Sequence, residues 1–160
     1  MVAPAFGSPA DPTAVGATLQ IYKLDGFLED SVTVNLPAAH WGQTGTAAQP
    51  GYKYRDPQGL DGPITSIVVR NGRLTIRGRG AGLYALADAP QGAMALRLNL
   101  GSSLTWCAAA PARAPAFPYD SAGRFEGVPN SPPPAICPVV PTEPGSASEA
   151  FLTPLESLLD

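Results

Sequence analysis

Residues 67–76, IVVRNGRLTI, decide how this chain folds. Asn71-Gly72 is the pair that a two-residue type I′ turn calls for, and alternating apolar and polar residues flank it on both sides. Closing that turn sets Arg70 opposite Arg73, Val69 opposite Leu74 and Ile67 opposite Ile76, so the four apolar residues share one face. A slip of one residue would send them to opposite faces, so turn chemistry and hydrophobic phase specify the same register. The other face then carries Arg70, Arg73 and Arg77 with Val68 and Thr75.

Outward from this hairpin, period-2 alternation recurs. In 17–23, Leu19 and Ile21 oppose Thr18, Gln20 and Tyr22; in 31–36, Val32, Val34 and Leu36 face in and Pro37 stops the ladder. Residues 38–63, rich in Gly, Gln and Thr, read as a long irregular loop. After the hairpin come a glycine-punctuated bend at 78–82, a short strand at 83–87 and a Pro90-Gln91-Gly92 turn. A second hairpin then joins 94–100 to 104–108 through Gly101-Ser102-Ser103. The stretch 109–145, dominated by Pro, Ala and small polar residues, is expected to lie as an extended belt tied down by Phe117, Tyr119, Phe125, Ile136 and, if bridged, Cys137. Two overlapping capping boxes, Ser146 with Glu149 and Thr153 with Glu156, predict a short C-terminal helix with Phe151, Leu155, Leu158 and Leu159 on its apolar face. Residues 1–15 mix small residues with Pro and read as a flexible arm. The expected organisation is therefore an arm at 1–15, a sandwich domain at 16–140, and a Pro/Ser linker with an amphipathic helix at 141–160. Seven or eight short strands with frequent turns predict an all-β antiparallel sandwich or jelly-roll-like fold.

Nineteen prolines and 17 glycines in 160 residues agree with strands and turns rather than helices. The net charge of -3 argues against nucleic acid. Its distribution is uneven: six of the ten basic residues lie between Lys53 and Arg79, and after Arg124 only Glu126, Glu143, Glu149, Glu156 and Asp160 carry charge. Cys107 and Cys137 are the only thiols, and an even pair in such a chain reads as one disulfide and export, the alternative being two reduced thiols. As written, the first 16 residues have neither the basic nor the apolar region of a signal peptide. No apolar run reaches the roughly 18 residues a membrane span needs, so no membrane insertion is expected.

The motifs LPAAHW (36–41), GYKYRD (51–56), DGP (61–63), NGRLTIRGRG (71–80), PQG (90–92), LGSSLTWC (100–107), RFEG (124–127) and PPPAICP (132–138) together resemble a β module of secreted proteins of environmental Gram-negative bacteria. The resemblance spans roughly 17–138. It implies β structure, export and a Cys107–Cys137 bridge, and it carries over no catalytic residue.

Chemistry-bearing residues are few. His40 is the single histidine and has no Ser/Asp or Cys partner in a recognisable motif, so a hydrolase ranks third among the readings and no enzyme is expected. One His and two distant Cys do not make a zinc set, and Asp25, Glu29, Asp30, Asp56 and Asp61 lack calcium-loop spacing, so neither metal nor cofactor is expected. Trp41, Tyr52 and Tyr54, if exposed, would stack on sugar rings with Arg55 beside them, making a carbohydrate-binding accessory module with polysaccharide as partner. The competing reading fills the core with the same three rings. Arg70, Arg73 and Arg77 with Phe151, Leu155, Leu158 and Leu159 make candidate interfaces for a homo-oligomer or filament. The favoured expectation is a secreted or cell-surface, non-catalytic, self-associating structural module.

Overall fold

The structure, a computed structural model, describes residues 2–24, 26, 31–78, 90–101, 103–121 and 124–141. In chain order these form α1 (Pro12–Val15), β1 (Ala17–Lys23), β2 (Ser31–Leu36), a 3-10 turn (Ala38–His40), β3 (Trp41–Gly45), β4 (Pro50–Arg55), β5 (Ile64–Arg70), β6 (Arg73–Gly78), β7 (Ala93–Leu100) and β8 (Leu104–Pro111), followed by the two-residue strands β9 (Asp120–Ser121) and β10 (Arg124–Phe125). Two antiparallel four-stranded sheets pack into a sandwich. The back sheet has the order β2-β1-β7-β8 and the front sheet is a meander, β3-β4-β5-β6.

Hydrophobic phase decides the packing. Leu19, Val34, Leu36, Leu98, Leu100 and Trp106 from the back sheet meet Trp41, Tyr52, Tyr54, Ile67 and Val69 from the front sheet in one buried cluster. Each fully buried large side chain of this kind stabilises by about 1.5–3 kcal/mol relative to exposure. Around Asn71-Gly72 the register is the expected one, with Arg70 paired to Arg73, Val69 to Leu74 and Ile67 to Ile76. β7 and β8 form the second hairpin and extend to Pro111, beyond the expected end at Ala108.

Two expectations are corrected. The segment 38–63 is no irregular loop: β3 and β4 pair as Trp41 with Tyr54 and Gln43 with Tyr52. Only every second residue there is apolar and β3 is mostly glycine and polar residues, so the phase is carried by the rings of β4. The expected flexible arm is packed as well. Ala3 and Ala10 are buried, Phe6 sits edge-on to Tyr52, the Ala3 amide donates to Asn71 Oδ1 (2.8 Å), and the Tyr52 hydroxyl donates to the Pro4 carbonyl (3.1 Å). Asp11 fastens it by accepting from the Gly7 and Thr13 amides, the Thr13 hydroxyl and Gln43 Nε2. Small residues bury little area individually, but here the backbone groups they carry find partners.

The end of the belt lies on the outer surface of the back sheet. Cys107 of β8 is bonded to Cys137, with Cα atoms 5.5 Å apart, and the Tyr22 hydroxyl of β1 donates to the Pro138 carbonyl (2.8 Å). Phe117 and Ile136 are not its anchors, being 79% and 85% exposed. Buried Asp120 holds it instead, accepting from the Gln91 and Gly92 amides at 2.7 and 2.8 Å. Further along, Glu126 pairs with Arg113 and Arg124. The expected strand at 83–87 and the C-terminal helix with Phe151, Leu155, Leu158 and Leu159 lie outside the described residues. Among the described residues no helix is long and apolar enough to cross a membrane.

Candidate functional site

Strand pairing turns scattered basic residues into one surface. With Tyr52, Tyr54, Ile67, Val69, Leu74 and Ile76 facing in, alternation turns Lys53, Arg55, Ser66, Val68, Arg70, Arg73, Thr75 and Arg77 out. Arg70 and Arg73 occupy one cross-strand row; Lys53, Val68 and Thr75 the next; Arg55, Ser66 and Arg77 a third. Rows are about 7 Å apart and strands about 4.8 Å, so five cations ring Val68 and Thr75 within a patch of about 14 by 10 Å. All four arginines are exposed and Lys53 is half-buried.

No acidic side chain lies on these rows. The ion pairs among the described residues join His40 to Asp61, and Arg113 and Arg124 to Glu126, so none engages the five cations. Arg70 and Arg73 also stand directly opposite one another, a like-charge pairing that costs stability in an isolated sheet. At that end of the patch lies a polar recess of about 510 Å³, lined by Thr44, Gln49, Gly51, Arg70 and Asn71 among others. Gly51 leaves it open, because a Cβ there would come within 2.9 Å of Thr44 Oγ1 and 3.1 Å of the Val69 carbonyl.

The rings expected to stack on sugars lie beneath this surface. Trp41, Tyr52 and Tyr54 are 7%, 0% and 1% exposed, Trp41 packs edge-on to Tyr54, and Trp41 Nε1 donates to the Leu36 carbonyl. This corrects the exposed-aromatic reading: β4 is an inner strand of the front sheet, and alternation leaves its tyrosines the core as their only side. Burial, reinforced by the nearby acids Asp11 for Tyr52 and Asp56 for Tyr54, pushes both phenols up to about 12. Of the four residues proposed to hold sugar, Arg55 alone remains on the surface. What the aromatics supply is a rigid floor for the basic rows.

His40 closes the front sheet's edge. Its Nε2 is 2.6 Å from Asp61 Oδ2, its Nδ1 is 3.0 Å from the Arg55 carbonyl, and its ring tilts against Tyr54. With both nitrogens against oxygen acceptors, the ring serves as a clamp on the 56–61 turn. Asp56 organises the same turn: the amides of Asp61 and Gly59 donate to its buried carboxylate, and the Asp61 amide is the chief cause holding it below its ordinary value. Among the described residues no three His, Cys, Asp or Glu side chains gather as metal ligands.

The arginines of the hairpin were legible in the sequence; that Lys53 and Arg55 join them was not, because it depends on β4 pairing with β5. The signal that could have found them is the alternation of GYKYRD itself. No family model, curated protein or solved structure matches this chain.

Proposed function

We propose that this chain is a non-catalytic module of the cell exterior that holds acidic polysaccharide on the outer face of its front sheet. The observation that carries the reading is the five-cation surface, with no acid on its rows and no ion pair to it among the described residues. A fixed array of like charges attracts a polyanion by releasing its counterions and relieving repulsion within the array. The Cys107–Cys137 bridge supports an oxidising compartment, in keeping with a cell-exterior glycan as the partner. Single-stranded nucleic acid fits less well, since the rings that would stack on bases face the core. Binding is electrostatic rather than by ring stacking, so carboxylate or sulfate density matters more than sugar identity. His40 has both nitrogens against oxygen atoms of its own 55–61 region, Asp61 and the Arg55 carbonyl, and is read as a structural clamp, the module as a binder and not a hydrolase.

The test is affinity electrophoresis and calorimetry with polygalacturonate, alginate and neutral xylan in low salt. The native chain should be retarded by the acidic polymers only, with affinity falling at least tenfold between about 50 and 200 mM salt. Combined Lys53→Gln, Arg70→Gln, Arg73→Gln and Arg77→Gln, all remote from the core, should abolish retention. Equal retention by neutral xylan, or unchanged binding by the four-site variant, would overturn the proposal.

A further inference from the structure

The chain carries an anion of its own suited to that face. Beyond Pro141 the residues 142–160 hold Glu143, Glu149, Glu156 and Asp160 and no Lys, Arg or His, so four negative charges follow one another without a cation. The rows of the front face present five positive charges and no acid. Glu126, the remaining acid after Arg124, is already shared between Arg113 and Arg124 and does not compete.

We propose that residues 142–160 of one copy dock on the basic front face of a second copy, linking molecules head to tail. Where the segment is rooted bears on how many of its four acids a copy's own face can take. The belt is held on the outer surface of the back sheet by the Cys107–Cys137 bond and by Tyr22 on Pro138, three residues before Pro141. The basic rows lie on the opposite outer surface, beyond the full thickness of two sheets packed about 10 Å apart and the side chains outside them. Two residues span at most about 7 Å, less than that thickness, so a copy's own face is beyond the reach of the first acid, whereas a neighbour's face can take all four. The contact joins two different surfaces, so it is heterologous. Unless the rotation between copies closes a ring, it propagates into a filament.

This inference rests on the same reading of the front face as an anion-binding surface, with a second copy as the partner. It is tested with full-length chains by light scattering and sedimentation over a concentration series. Three are needed: the native chain, a face variant (Arg70→Glu with Arg73→Glu) and a tail variant (Glu143→Gln, Glu149→Gln, Glu156→Gln and Asp160→Asn). The native chain should grow in mass with concentration and fall back to monomer in about 0.5 M salt, where the Debye length is only a few Å. Each variant alone should stay monomeric at every concentration. Mixed, they should form a one-to-one complex, because one retains the tail and the other the face. A native chain that stays monomeric throughout, or variants that associate as the native chain does, would overturn the proposal. So would a mixture that yields no complex. Binding of the tail variant to polygalacturonate separates the two readings. If it binds polygalacturonate but not the face variant, only the head-to-tail contact fails; if it binds neither, the face is no anion site and both fail.

Discussion

Asp11 shows how much one buried carboxylate organises. Burial works against its charge, yet the amides of Gly7 and Thr13, the Thr13 hydroxyl and the Gln43 amide hold it below its ordinary value of 3.8. It caps α1, pins the N-terminal segment and reaches β3 together. Asp11→Ala strands the Gly7 amide and removes the cap, so a loss of about 2 kcal/mol or more is expected in denaturant unfolding. A depressed carboxyl contributes stability that is present above its unfolded value and lost as pH falls through the folded one. The native chain should therefore lose stability as pH falls through and below the ordinary carboxyl range, while the variant's acid limb should be flatter, retaining the contribution of Asp56, whose carboxyl is also held low. An equally steep acid limb in Asp11→Ala would place the linkage elsewhere. Tyr52 and Tyr54 make the same point about reading residues singly: type and spacing fit a sugar platform or a core, and only burial on an inner strand chooses.

At the scale of elements, two turns separate conformational cost from steric cost. Gly72 has φ 71° and open space within 4 Å of where a Cβ would sit, whereas Gly101 has φ 58° and a Cβ there would meet the Pro9 carbonyl at 2.5 Å and Val15 Cγ2 at 2.9 Å. Gly72→Ala should cost about 1–2 kcal/mol, the left-handed penalty alone. Gly101→Ala should cost more and also lift residues 2–16 from the sheet, read as faster proteolysis near the N-terminus. Equal costs would mean that the N-terminal segment yields freely. The hairpin of β5 and β6 was readable because turn chemistry and hydrophobic phase are both local. β3 and β4 were missed because glycine, threonine and glutamine carry little strand signal by themselves, and β3 becomes a strand by pairing with β4. The N-terminal segment was missed for a related reason. Its partners, Asn71, Tyr52 and Gln43, lie far away in sequence and appear only once the sheets exist.

For the whole molecule, the belt and its disulfide close a loop spanning 30 residues across the back sheet. In the chain-entropy account such a closure stabilises by about 3–4 kcal/mol, so reduction should lower the unfolding free energy by roughly that amount and free the belt beyond Gly127. Hydrogen exchange before and after reduction checks it; unchanged protection at Tyr22 and Cys107 would mean that the belt is held without the bond. The same belt holds the chain on the back-sheet side as far as Pro138, three residues before the last described residue, Pro141. What the sequence determined by itself was the class of fold, the register of the central hairpin and the candidate cysteine pair, since alternation, turn residues and cysteine count act over short range or by composition. Tertiary structure alone decided that the aromatics of β4 are floor rather than platform, that the N-terminal segment is packed, and that Lys53 and Arg55 join Arg70, Arg73 and Arg77. Each of these depends on which strand lies beside which, a choice made by burying apolar faces across the whole chain rather than by any neighbouring residue.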